Sequence, residues 1–266
     1  MNAARKAVIG KAPGDAHSQY VALVAHELRG PLMPILSAAA ILRQRPFDPE
    51  MIESCAAIID RQARIISRRV DDLMDVSRAQ RGVFALQRAR IAIADVVRQA
   101  VEMVAPLAEQ RGMTMTVSPA AEPIEVDGDD GRLVQALQNL LGNAVKFNGG
   151  GREIHVRARR ENENAVVTVT DSGIGLEAAE IESIFALFAQ REPDVSAHAN
   201  RGLGIGLYLA RTFAEAHGGS LTAASAGRGL GSTFTLRIPA LESDFEFPGN
   251  AHIQSDSRSL SFLTTA

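Results

Sequence analysis

Four groups of residues in this chain pair reactive or ligand-binding side chains with a spacing that would gather them. His26 is followed at once by Glu27 in the stretch VALVAHELRGPLMPIL. An imidazole near its ordinary pKa is a nucleophile at neutral pH, and a neighbouring carboxylate can take its proton or orient the ring. In QNLLGNAVKF, Asn139, Asn143 and Lys146 recur at intervals of four and three, which places them on one face of a helix. An amide oxygen is a neutral hard ligand suited to a Mg2+ ion that already carries water and phosphate oxygens, and a lysine supplies a point charge for phosphate. Asp171-Ser172-Gly173-Ile174-Gly175 closes an apolar strand. A carboxylate there can accept from an exocyclic amine such as that of adenine, while Gly173 and Gly175 permit close backbone approach. Finally, Gly202, Gly204 and Gly206 open a helix, whose bare N–H groups and dipole favour phosphate. Taken singly, each has a plainer reading: a surface histidine, a solvated helix face, an Asp-Ser-Gly turn, a glycine hinge.

The elements that must hold these groups follow from periodicity. Val24, Leu28, Leu32, Ile35, Ala39 and Leu42 form a helical stripe over residues 17–44. His26 lies about 200° around the helix from Val24 and Leu28, which predicts an imidazole and a partnering Glu27 turned away from the packed seam. Pro31 and Pro34 deprive the carbonyls of Glu27 and Gly30 of their donors, so the turn after His26 should be bent or loosened. A second helix starts near Asp48–Glu50 and ends before Gly82, with Ile52, Cys55, Ile59, Ile66, Val70, Leu73 and Val76 on its stripe. Two such helices with a short connection make a hairpin. One hairpin cannot cover both stripes, so a homodimeric four-helix bundle is expected.

Beyond residue 83 the pattern is mixed α/β. Strands are expected at Phe84–Leu86, Met113–Val117, Ile124–Val126, Glu153–Arg159, Ala165–Asp171, Ser220–Ser225 and Ser232–Ile238, and helices at Ile93–Gln110, from Asp129 or Asp130 to Lys146, at Glu177–Phe188 and at Ile205–His217. The polar stretch between Phe188 and Arg201 reads as a lid or a disordered segment. The expected division is a flexible arm (1–16), a helical domain (17–82), an α/β domain (83–240) and a disordered tail (241–266).

Composition narrows the class. With 28 basic and 31 acidic side chains the net charge is −3, so no bulk field favours nucleic acid. No apolar run reaches the length of a membrane span, and the N-terminus lacks a signal-peptide core. The one cysteine, Cys55, cannot form an intrachain disulfide, and the expected compartment is the cytoplasm.

The order and spacing of these groups across residues 20–240 resemble those of the histidine protein kinases of two-component signalling. HELRGPL resembles the family's H box, QNLLGNAVKF its N box and DSGIGL its first glycine box. IFALFAQ, with Phe185 and Phe188, resembles the phenylalanine box, GLGIGL the second glycine box, and GRGLGSTFTLRIP the closing segment. The resemblance implies a phospho-acceptor hairpin followed by an α/β-sandwich ATP-binding domain of the Bergerat type. It implies that His26 takes the γ-phosphoryl group of ATP and passes it to an aspartate on a response-regulator receiver domain, with Glu27 assisting. Asn143 would ligate Mg2+, Lys146 would touch phosphates and Asp171 would read adenine. Asn139, Gly173, Gly175, Phe188, Gly202, Gly204, Gly206 and Thr233 would complete the nucleotide contacts. Three positions depart from the pattern. Gly30 replaces the Thr or Asn of members that also dephosphorylate their partner, which argues against phosphatase activity. Leu203 replaces a Thr and Leu187 a Pro. Two other readings compete: a phosphotransfer scaffold with a vestigial nucleotide domain, against which the intact boxes argue, and an ATPase or serine kinase of the same fold, which has no need of a His-Glu pair on a bundle.

Overall fold

A computed structural model of the protein describes residues 13–44, 48–82, 85–148, 153–190 and 203–242. Helices α1 (Pro13–Gln44) and α2 (Pro49–Gln80) pack on each other as the expected hairpin. Asp48 caps α2 by accepting the Met51 N–H at 3.2 Å, and Pro49 follows at the first helical position, where its missing N–H costs nothing. Gly82, at φ +64°, stops the chain beyond the C-cap.

Helix α1 runs unbroken through Pro31 and Pro34. The carbonyl of Glu27 that Pro31 leaves without a helical donor is taken from outside: Arg69 of α2 donates Nη1 to it at 2.8 Å. The same Nη1 also pairs with the Glu27 carboxylate. Glu27 is therefore buried against the second helix, not displayed beside His26 as the stripe suggested. The seam of α1 carries Glu27, Pro31 and Ala38, and the predicted seam residue Leu32 is 45% exposed. The reason is a surplus of apolar surface. Met33, Leu36 and Ile41 of α1 and Ile52, Ile65, Val70 and Met74 of α2 are also left in solvent, so periodicity alone could not say which stripe meets the partner helix.

The second part is a two-layer α/β sandwich. Strands β1 (Ala89–Ala92) and β3 (Glu125–Gly128) form a small antiparallel ladder. Strands β2 (Thr114–Ser118), β4 (Glu153–Glu161), β5 (Asn164–Asp171), β6 (Ser220–Ala224) and β7 (Ser232–Pro239) form a sheet of order β2-β4-β5-β7-β6. Its pairs are antiparallel except β2 with β4. One face of the sheet packs on α3 (Ile93–Gln110), α4 (Asp130–Lys146) and α5 (Gly206–Ala216). Alternation sorts the strands: Val156, Val169 and Phe234 align in one row across the sheet, Ala158, Val167 and Leu236 in the next, all buried under Leu137, Leu140, Leu141 and Phe213.

Two expected elements differ. Ala85 and Leu86 form no strand, Phe84 lies outside the described residues, and the first strand is β1. Glu177–Phe188 is not a helix but a series of turns with one 3-10 turn at Ser183–Phe185. Glu180 folds back on Glu177, accepting its N–H at 2.8 Å through Oε2, and Phe188 adopts φ +64°. Ile181, Ile184, Phe185 and Phe188 keep the spacing of a helical stripe, but the Phe188 N–H is taken by the Gly204 carbonyl at 3.0 Å, so contact between elements overrides the local pattern. The end of the chain is held slightly further than expected: the Leu241 N–H reaches the Glu125 carbonyl at 2.8 Å, and Arg160 donates to the Leu241 carbonyl at 2.6 Å. The remaining tail from 243 and the arm before residue 13 lie outside the described residues. Among those described, no helix is long and apolar enough to cross a membrane.

Candidate functional site

The site is organised by α4, whose start is fixed from two directions. Asp129 caps it through the Arg132 N–H at 3.2 Å. The Asp129 N–H in turn donates to Nε2 of His217 at 2.9 Å, while Nδ1 of His217 lies 2.7 Å from the Phe213 carbonyl. One ring nitrogen accepts and the other donates, so the imidazole is neutral, and burial holds its pKa below the usual value.

From that anchor the outer face of α4 presents Asn139, Asn143 and Lys146, as the spacing predicts. All three line a groove of about 910 Å³ that α4 shares with α2 and α3. The Asn139 amide nitrogen is buried without a hydrogen-bond partner. The side chain of Asn143 likewise has no protein partner among the described residues. Lys146 lies over the Phe147 ring at 4.7 Å. Burial lowers its pKa, the Glu27 carboxylate opposes that shift, and the Arg69 and Arg111 guanidinium groups add to it. The working end of α4 therefore feels charges that belong to the turn after His26. His26 itself lies in α1, and its side chain lies outside the described residues.

Beyond Lys146 the chain is tied directly to the Asp171 turn. The Ile174 N–H reaches the Phe147 carbonyl at 3.1 Å, and Asn148 bridges the Glu153 carbonyl and the Ser172 hydroxyl. A Cβ on Gly173 would lie 2.3 Å from the Phe147 carbonyl oxygen, so only glycine lets these segments meet. Asp171 is buried at the end of β5, where its Oδ1 accepts the Gly173 N–H at 2.9 Å and Ser232 supplies a second backbone donor. Burial raises its pKa and the two N–H groups oppose that rise. Gly175, at φ +63°, and the turn Gly227–Gly231 close over this corner, with the Gly229 N–H donating to the Ile174 carbonyl at 2.8 Å.

The phenylalanine and second glycine stretches also meet. The Phe188 N–H donates to the Gly204 carbonyl at 3.0 Å, and α5 begins at Gly206 directly over Asn139, where an added Cβ would lie 3.3 Å from the amide oxygen. Among the described residues no side chain caps α5, which leaves its first N–H groups without a capping partner there. Gly202 lies outside the described residues.

Thr233 does not join the others. It pairs with Thr170 across the strands, their hydroxyls 3.0 Å apart, on the sheet face opposite the helices. Ser232, one residue earlier, is buried in the row of Asp171. Alternation inward at Phe234, Leu236 and Ile238 already implied that parity. Two further contacts had no sequence signal: Arg69 on Glu27, and Arg132 of α4 on Asp75 of α2.

Among the described residues this arrangement offers an unpartnered amide, an orphaned buried amide and a half-buried ammonium along one groove, with the N-terminus of α5 set over Asn139. Together they fit a polyanion accompanied by a hard cation. Comparison with known proteins agrees. Residues 16–82 match the family model for the His Kinase A (phospho-acceptor) domain, and residues 128–242 the model for the histidine kinase-, DNA gyrase B- and HSP90-like ATPases. The chain belongs to the histidine kinases of two-component signalling. It is 30% identical over 227 residues to the histidine protein kinase DivJ of Caulobacter vibrioides, covering 84% of this chain and 37% of that protein. It is also 30% identical over 222 residues to the sensor histidine kinase RppB of a Synechocystis species, covering 83% of this chain and 48% of that protein. The fold resembles full-length ShkA, solved in complex with AMPPNP, with a TM-score of 0.63 at 26% identity over 85% of this chain and 46% of that one. The histidine kinase thus spans less than half the length of these curated relatives.

Asp72 of α2 faces the same groove. Its pKa is pushed up to about 6 by burial, with Gln135 opposing, Asp75 adding, Arg68 opposing and Asp71 adding. The folded chain then keeps a proton between pH ~4 and ~6 that the unfolded chain releases, so ionised Asp72 destabilises the fold above pH ~6 and not below ~4. Asp72→Asn keeps an oxygen for Gln135 and is expected to raise stability by about 1–2 kcal/mol at pH 7.5 and by nothing at pH 4. Urea unfolding at the two pH values checks this, and an equal effect at both would refute it.

Proposed function

We propose that this protein is an ATP-dependent protein-histidine kinase that phosphorylates its own His26 and passes the phosphoryl group to an aspartate of a response-regulator receiver domain. The observation that carries the reading is Lys146. It ends the Asn139–Asn143–Lys146 face, and the charges that tune it include Glu27, next in sequence to His26, and Arg69, which pairs with Glu27. In this reading Asn143 holds Mg2+, which would screen the phosphate charge, and Lys146 and the α5 N-terminus hold phosphate oxygens. Asp171 accepts from the adenine amine. Asn139 orients the ligand through its orphaned amide, and Ser232 takes the place expected of Thr233. Phosphoryl transfer asks the protein for in-line positioning and charge neutralisation, and these residues are of the types that supply both.

The hairpin serves as phospho-acceptor and dimerisation element, 17–82, and residues 83–240 as the ATP-binding domain. The exposed apolar row of α1 and α2 supports a homodimeric four-helix bundle. Glu27, held by Arg69, must exchange that partner before it can take the His26 proton. Gly30 leaves no side chain to position water, which supports a kinase without phosphatase activity. The absence of an apolar spanning helix among the described residues fits a cytoplasmic site of action.

The test is incubation of the full chain with γ-labelled ATP and Mg2+. Acid-labile, base-stable label on the protein, transferable to a receiver domain, is the expected result. Tight nucleotide binding without any label would overturn the kinase in favour of a phosphotransfer scaffold.

A further inference from the structure

We infer that Arg132 is a positioning residue: its ion pair with Asp75 pins the ATP-binding domain to the acceptor hairpin and so aims the far end of α4 at His26. The inference rests on the reading of the site given above. Asp75 is a charged side chain only 2% exposed, near the C-terminal end of a helix that is otherwise largely solvated. Its carboxylate takes the Arg132 guanidinium, with Gln135 Nε2 at 3.4 Å and Arg78 at 3.6 Å. Arg132 also donates to Gln135 Oε1 at 2.9 Å and stacks over the Phe213 ring of α5 at 5.3 Å, while Gln135 donates to Asp72 at 3.1 Å. Three helices from both domains meet at this one guanidinium. A planar fork that bonds two partners and stacks on a third fixes orientation as well as distance.

The same face of α4 continues from Arg132 and Gln135 to Asn139, Asn143 and Lys146. Fourteen residues of helix separate Arg132 from Lys146, which is about 21 Å at 1.5 Å per residue. A rotation of about 10° at the pin would therefore move Lys146 by roughly 4 Å. Misplacement by about 1 Å can cost two orders of magnitude in a transfer that depends on in-line approach. Arg132 lines the end of the groove opposite Lys146, about 21 Å away along α4, so its loss should leave the phosphate end intact and nucleotide binding largely spared while slowing transfer.

The experiment uses the full chain with Arg132→Ala, Arg132→Lys and the exchange pair Asp75→Arg with Arg132→Asp. Affinity for a fluorescent ATP analogue and the rate of His26 labelling are measured separately. Hydrogen exchange along residues 68–78 is followed without nucleotide. Expected are affinity within about twofold of the parent, labelling slowed by roughly 10- to 100-fold, lost protection over 68–78, and partial return of the rate in Arg132→Lys. Return in the exchange pair would strengthen the assignment further. Unchanged exchange protection in Arg132→Ala would overturn the pin whatever the labelling shows, and so would a rate equal to the parent's. Should the parent itself fail to label, the reading of the site falls, and the exchange experiment still decides whether the pin exists.

Discussion

Asn143→Ala is expected to label His26 roughly a thousandfold more slowly than the parent while folding as stably. The size of the effect follows from what phosphoryl transfer needs. An imidazole can attack only in its neutral form, the phosphates repel any approach of further electron density, and Asn143 would hold the metal ion that offsets that charge. Removing a single preorganised electrostatic partner in such a site typically costs about 10²–10³ in rate. Stability should change by less than about 0.5 kcal/mol, because the Asn143 side chain makes no hydrogen bond to the protein among the described residues. Single-turnover labelling at saturating ATP and Mg2+, paired with a thermal melt, checks both halves. The companion His26→Ala should give no label at all and bind nucleotide normally. A labelling rate for Asn143→Ala within tenfold of the parent would remove this residue from the metal site.

The second large effect concerns Arg69. Arg69→Ala withdraws the guanidinium from a buried carboxylate and the donor from the carbonyl that Pro31 orphaned. Breaking a buried ion pair on one side costs about 3–5 kcal/mol. Lysine cannot reproduce the fork, so Arg69→Lys should fall between alanine and the parent. The structure also predicts a specific partial rescue. Pro31→Ala restores an N–H that can serve the Glu27 carbonyl within α1, so adding it to Arg69→Ala should return about 1 kcal/mol. Urea unfolding followed by helical circular dichroism measures the cycle. Arg69→Ala within 0.5 kcal/mol of the parent, or no coupling to Pro31, would show that the clasp contributes little.

Much of the candidate site could be read from residue order because its signals are local. Helical spacing on one element grouped Asn139, Asn143 and Lys146, and a capping aspartate marked where that helix begins. Gly173 stood out for the reason the structure supplies, a backbone approach that excludes any side chain. What escaped was decided between elements. Alternation gives Ser232, not Thr233, the inward parity of Phe234, Leu236 and Ile238, but that Asp171 is its neighbour is set by the pairing of β7 with β5. Glu27 looked like a partner for His26 because adjacency in the chain was visible and the approach of Arg69 from forty-two residues away was not. The apolar surplus on α1 had the same effect on the seam: several stripes were available, and tertiary contact chose among them. Glu177–Phe188 carries apolar spacing that suits a helix, and a contact between elements, the Phe188 N–H on the Gly204 carbonyl, decides against it.

The position of β7 has a consequence for how the molecule is made. This last strand is interior, between β5 and β6, and its first residue supplies a backbone donor to Asp171. The hairpin closes between neighbours in the chain and can form while synthesis continues, whereas the adenine corner cannot exist until residues near 239 have left the ribosome. A nascent or prematurely terminated chain therefore carries His26 before it carries the complete Asp171 corner. Under the proposed function, translation finishes the receiving end first, and activity would appear only with completion of the sheet.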